Sequence, residues 1–181
     1  MTAGMPEVTL VWEEEGRRCK ARLDYLRPDM ITDLKTFAAK QERSIDAVVH
    51  NCIVYERYNQ QWVWYRRGLE AVKTALRAGC ARVEGLSEEF IASLLDKNQG
   101  FTFIFVRSQL PHQVRIRCMR HSTGAGTPNL YFSEAAFMIE RAMRKHRECV
   151  EKYGTNPWAA GEEAAWLEDE EIPGIMYQSA R

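Results

Sequence analysis

The 181-residue chain has no net charge, because 25 basic and 25 acidic side chains cancel. A whole-molecule field that would gather a polyanion is therefore absent, and nucleic-acid binding must come from a local patch. No apolar run approaches the ~18–20 residues that span a bilayer, so no membrane partner is expected. The first eighteen residues turn acidic at Glu13 and Glu14 before an apolar signal core forms, so secretion is not expected and a cytoplasmic setting is. The five cysteines, Cys19, Cys52, Cys80, Cys118 and Cys149, contain no C-x-x-C pair. That argues against a structural zinc site and for buried free thiols in a reducing compartment. Repeats and low-complexity runs are also missing, and 45% apolar with 28% charged residues excludes wholesale disorder. At roughly 100–200 residues per domain, one domain with a tail is expected.

What is present is a change of period along the chain. Glu7–Trp12 is rich in β-branched and aromatic residues and reads as a strand. Cys19–Leu26 alternates, with Cys19, Ala21, Leu23 and Tyr25 on one face, and a turn at Gly16 would make the two strands a hairpin. Met30–Lys35 reads as a third strand with Ile31, Leu34 and Met30 buried. From the N-cap candidate Ser44 the apolar spacing becomes three and four residues through Leu76, with Gly79 as a stop. This is one long helix or two with a break near Asn59. Ser87 caps a short helix that ends at Asn98–Gly100. Phe101–Val106 and Val114–Met119 read as strands joined by a turn at Pro111. A loop from Ser122 to Asn129 leads into a helix from Ser133 to about Tyr153. Three strands, helix, two strands and helix make an α/β domain with a mixed central β-sheet flanked by helices. Its expected bounds are 1–153, and 154–181 forms a tail, packed on the domain or extending from it, that carries the acidic run Glu168–Glu171.

The chemistry-bearing stretch runs from Cys19 to Thr36. Asp24 lies near the end of one strand, and Asp33 and Lys35 follow on the next, where a separation of two puts them on one face. Two carboxylates at one sheet edge suit a hard cation such as Mg²⁺, with Mn²⁺ as an alternative. A lysine beside it can orient an attacking water and neutralise charge on a phosphate. Glu7 could add a third carboxylate. The triplet alone is unspecific, and Asp33 and Lys35 could equally be a solvated surface pair.

The wider pattern resembles the PD-(D/E)XK nucleases, specifically the exonuclease VIII (RecE-type) nuclease domains of phage and prophage recombination systems. The resemblance is carried by Glu7-Val-Thr-Leu-Val-Trp-Glu13, Cys19-Lys-Ala-Arg-Leu-Asp24-Tyr-Leu26, Ile31-Thr-Asp33-Leu-Lys35-Thr36 and Tyr58-Asn-Gln-Gln61-Trp-Val-Trp-Tyr65. It covers most of residues 7–153 and implies a restriction-endonuclease-like core. It further implies metal ligation by Asp24 and Asp33, with the Leu34 carbonyl as a further ligand, and a water-positioning Lys35. Glu7 and Gln61 would assist at the metal or phosphate, and Tyr58 would touch DNA. The implied activity is Mg-dependent digestion of duplex DNA ends, in a homo-oligomer, with a single-strand annealing protein as partner, in a bacterial host cell or encoded by a phage. Two departures stand out: Leu23 replaces the family's proline, and the family's upstream helical region, with its active-site histidine, is not among these residues. That leaves a catalytically incomplete scaffold or modulator of a partner as an alternative.

Outside this stretch, Arg107, Arg115, Arg117 and Arg120 make a candidate phosphate-contacting patch or a solvated strand face. Trp62, Trp64 and Tyr65 read as core more readily than as base-stacking residues, and His50 as a packing residue. Arg22–Tyr58 also admits a strand-helix-helix reading, as in ribbon-helix-helix DNA-binding regulators.

Overall fold

A computed structural model describes residues 4–38, 44–122 and 126–154. The acidic run Glu168–Glu171 lies outside them. Five strands and four helices are present among the described residues: β1 (Met5–Glu14), β2 (Arg17–Arg27), β3 (Met30–Phe37), α1 (Ile45–Tyr55), α2 (Tyr58–Arg77), α3 (Glu88–Asp96), β4 (Gly100–Arg107), β5 (Val114–Met119) and α4 (Leu130–Tyr153). The strands form one sheet in chain order, antiparallel throughout except for the parallel β3–β4 pair. The mixed α/β sheet expected from the sequence is therefore the fold. The ribbon-helix-helix alternative fails, because Met30–Phe37 is a strand and not a helix.

Local chemistry explains the breaks. Arg57 adopts a left-handed backbone (φ 59°, ψ 31°), which ends α1 and starts α2 two residues before the expected break at Asn59. Gly79, at φ +68°, closes α2: its amide donates to the Leu76 carbonyl at 3.1 Å and the Cys80 amide to Ala75 at 2.9 Å. Those two bonds satisfy carbonyls that a helix end leaves unpaired. Ser87 caps α3 by accepting the Phe90 amide at 3.2 Å. Asn129 does the same for α4, taking the Tyr131 amide at 2.9 Å, so that helix begins three residues before the expected Ser133.

The core lies between one face of the sheet and α2. Phe101, Phe103 and Phe105 alternate along β4 onto that face and are almost wholly buried, each contributing roughly 1.5–3 kcal/mol. Tyr58 and Tyr65 of α2 lie against them, and Trp62 packs edge-on to Phe132 of α4. Trp62 is wholly buried, as a core residue should be, while Trp64 is half-buried and donates its indole N–H to the Lys20 carbonyl. Gly68 lets α2 approach β1, since a Cβ there would stand 2.6 Å from the Trp12 ring. Arg67 then ties α2 to Glu14 on β1 and to Glu140 on α4.

The other face of the sheet differs. Leu34 (56% exposed), Val114 and Ile116 point away from the helices, which corrects the expectation that Leu34 is buried with Ile31. Residues three apart on a strand face opposite ways. His50 is exposed, not packed, with its ring on Tyr131. Of the five free cysteines only Cys19 is buried, so the expectation of buried thiols holds at one position.

The chain divides into two compact units, Met1–Ala142 and Met143–Arg181, with the division inside α4. In the second unit, Glu148 lies 4.0 Å from Arg144 and 3.6 Å from Lys145. Among the described residues no helix is long and apolar enough to cross a membrane.

Candidate active site

Asp33 sits in the middle of β3, on the helix-covered face, with no exposed surface. A carboxylate so placed needs partners. Lys35, two residues on and on the same face, forms an ion pair with its Oδ1, and Gln61 donates to its Oδ2 at 2.7 Å. Gln61 belongs to the first turn of α2, so the positive end of that helix lies beside the carboxylate and favours its charge. The same Gln61 amide nitrogen donates to the Tyr65 hydroxyl at 2.7 Å, one helical turn along. The Lys35 ammonium in turn stands 4.8 Å above the Tyr58 ring, a favourable cation–π geometry.

Asp24 reaches the cluster through a break in the sheet. The β2–β3 ladder runs only from Arg27–Met30 to Tyr25–Thr32. Beyond it the Asp24 side chain takes the place of the missing backbone partner, accepting the Leu34 amide at 2.9 Å. A slip in strand alternation makes this happen: Cys19, Ala21 and Leu23 are buried, and the next buried residue is Leu26. Across the β1–β2 ladder, between the Pro6–Tyr25 and Val8–Leu23 pairs, stands Glu7 with φ 56°. That is a strained backbone for a glutamate, of order 1–3 kcal/mol, and such strain gathers at functional sites.

Burial drives the Asp33 pKa above its ordinary value. The Lys35 hydrogen bond and charge work against that shift, the Asp24 carboxylate adds to it, and Gln61 lowers it. Burial also raises Tyr65, with a hydrogen bond from Gln61 opposing and the charges of Asp33, Asp24 and Glu7 adding to the rise. Tyr58 is raised chiefly by burial too. The donor set suits a hard divalent cation. Two carboxylates are under-neutralised by one lysine, and Mg²⁺ takes one or two carboxylates while keeping waters for the rest of its shell. Asp24 and Asp33 are the carboxylates of this cluster that would hold such an ion, beside the Leu34 backbone, although among the described residues no group of three His, Cys, Asp or Glu side chains forms a metal site.

The structure thus brings together Asp24, Asp33, Lys35, Gln61 and Tyr58. Tyr65, expected as core or a stacking residue, joins them through Gln61, four residues away on the same helix face. Glu7 gives no hydrogen bond to the cluster and pairs with Arg22, though its charge still acts on Tyr65. The arginine patch separates into three environments. Arg107 is only 8% exposed, which corrects its placement on a phosphate-contacting surface; it shares the covered face with the odd-numbered phenylalanines of β4. Arg115 and Arg117 both turn to Asp46 of α1, Arg115 at 3.3 Å. Arg120 is exposed.

No protein-family model matches the chain, and no curated protein is similar enough to match. Among solved structures the chain is similar to one described as a "putative exonuclease" from Eubacterium rectale, with a TM-score of 0.51 and 18% identity. The match covers 99% of this chain and 58% of that one, so this chain spans little over half the length of its structural relative. At that identity the shared property is the fold.

Proposed function

We propose that the chain carries a divalent-metal-dependent deoxyribonuclease centre of the exonuclease VIII type, acting on phosphodiester bonds at duplex ends. The observation that supports this most is the convergence of Asp24, Asp33 and Lys35 from adjacent strands, with Gln61 of α2 fixing the Asp33 carboxylate. When bound, Mg²⁺ or Mn²⁺ supplies charge neutralisation and an acidified water. The protein's own groups do the rest. Gln61 holds Asp33 in one orientation, and the Lys35 ammonium is placed to position a water and to offset negative charge growing on a phosphate. Arg115, Arg117 and Arg120 would bind backbone phosphate, the first two exchanging Asp46 for it, with Tyr58 beside Lys35 as a further contact. Duplex ends, a single-strand annealing partner and self-association belong to the same proposal.

A second reading, a catalytically incomplete scaffold or modulator, draws on the complete enclosure of Asp33. An end-labelled duplex incubated with the purified chain and Mg²⁺, Mn²⁺ or Ca²⁺ separates the two. The nuclease reading expects cleavage with the first two ions only. It expects Lys35→Ala to lower the rate about 10²–10³-fold with duplex binding retained, and binding to weaken steeply with salt. Cleavage that survives Asp33→Asn and Lys35→Ala combined rejects this centre. Binding without any cleavage supports the scaffold.

A further inference from the structure

The two arginines that Asp46 holds share rows of the sheet with the candidate centre. Asp33 stands opposite Phe103, and Phe103 opposite Arg117; Lys35 stands opposite Phe105, and Phe105 opposite Arg115. Directly opposite residues project to the same face, so Arg115 and Arg117 lie on the helix-covered face with Asp33 and Lys35. Two strand spacings, roughly 10 Å, separate the pairs. Between them lie the Phe103 and Phe105 rings with the Tyr58 ring against both, and the Lys35 ammonium stands over Tyr58. Each arginine is steadied by its own strand: Arg115 donates to the Val114 carbonyl and Arg117 to the Ile116 carbonyl, both at 3.0 Å. Other donors of both converge on one oxygen, Oδ1 of Asp46, in the first turn of α1. Two guanidinium charges against one carboxylate leave the cluster net positive. The Asp46 side chain is 61% exposed, so it can swing out without disturbing the core.

We propose that Arg115 and Arg117 form a phosphate subsite in register with the centre, and that Asp46 is its built-in competitor, an autoinhibitory contact that a DNA strand must displace. This rests on the nuclease reading of Asp33 and Lys35 and adds the regulation of that site. A carboxylate oxygen shared by two guanidinium groups stands where a phosphate oxygen would be held, because both anions meet arginine through the same fork of N–H donors. Successive phosphates of one strand rise ~3.4 Å along the duplex axis. A strand with one phosphate at Lys35 therefore presents another to the arginines within about three nucleotides. The exposed pair is weak enough to be exchanged, and DNA gains from the counterions it releases, which a lone carboxylate does not. Asp46 thus weakens the binding of every strand that uses the subsite.

The test reads binding of a fluorescein-labelled DNA duplex to the full chain by anisotropy, in EDTA so that no cleavage intervenes. Asp46→Asn should tighten binding about two- to fivefold. Glu89→Gln, which neutralises an exposed carboxylate on α3 and changes the net charge equally, should leave it nearly unchanged. Arg115→Gln combined with Arg117→Gln should weaken binding and remove the gain from Asp46→Asn. A series of duplexes, each with one uncharged methylphosphonate linkage, should show one position or an adjacent pair near the end that weakens binding to the parent. The same linkage should have no effect on the double arginine variant. Equal tightening by Asp46→Asn and Glu89→Gln, a gain that persists without the two arginines, or no linkage whose effect depends on them overturns the proposal. The nuclease reading fails separately. An Asp46→Asn chain that binds more tightly yet never cleaves with Mn²⁺ keeps the subsite and loses the centre, and cleavage with binding unchanged in every variant does the reverse.

Discussion

Asp33 and Asp46 are both ion-paired carboxylates, and their surroundings move them in opposite directions. Asp33 lies under α2 with Lys35 and Gln61 on its two oxygens, yet burial outweighs these partners and its pKa rises. Asp46 stands in solvent on α1, where the hydrogen bond from Arg117 leads the causes that lower its pKa. The difference shows that an ion pair by itself says little about function. Arg115, Arg117 and Asp46 form a surface cluster that salt should largely screen. Asp33 is a carboxylate held at a disadvantage, with a second carboxylate nearby, and that is the state a divalent cation would relieve.

Removing the cation from the buried pair should have the larger effect. Lys35→Met leaves Asp33 enclosed with only Gln61 on it, and unfolding titrations at neutral pH should show a loss of about 3–5 kcal/mol. The loss should shrink on acidification, since a protonated Asp33 no longer needs a cation. Persistence of the full loss at pH values where Asp33 is neutral would contradict the placement of that charge.

A smaller effect concerns the pH dependence of the two carboxylates. Because the folded Asp33 pKa is raised above 3.8, its contribution to stability is complete below the unfolded value and is lost as pH rises through the folded one. The stability of Asp33→Asn relative to the parent should therefore improve as pH rises across that window. Asp46 has the opposite sign: its stabilisation is present above 3.8 and is lost as pH falls through its lowered folded value. Asp46→Asn should thus lose ground against the parent as pH rises through the acid range. Thermal melts of both variants across pH would show slopes of opposite sign, and matching slopes would erase the distinction. Smallest of all, the effect of Asp46→Asn should vanish in high salt while that of Asp33→Asn remains.

Much of this contrast could be read from the residues themselves. The Asp33–Lys35 separation of two, on a strand, placed both on one face, and the change from period two to period 3.6 located α1 and α2. The misreadings also have local causes. Leu34 cannot be buried together with Ile31, because residues three apart on a strand face opposite ways. Arg107 continues the parity of Phe101, Phe103 and Phe105 and so goes inward with them, away from an exposed patch. The left-handed backbone of Glu7 and the alternation slip at Asp24 leave no trace in composition, since neither position carries a glycine or asparagine. Without that slip, the Asp24 bond to the Leu34 amide could not be inferred from spacing.

In the proposed centre Asp24 and Asp33, and not the surface carboxylates, would hold the divalent cation. Calorimetric titration of Mn²⁺ into the parent chain and into Asp24→Asn, Asp33→Asn and Asp46→Asn tests it directly. The expected result is binding in the parent and in Asp46→Asn, and loss of that binding in both Asp24→Asn and Asp33→Asn. Unchanged Mn²⁺ affinity in Asp33→Asn would contradict the account.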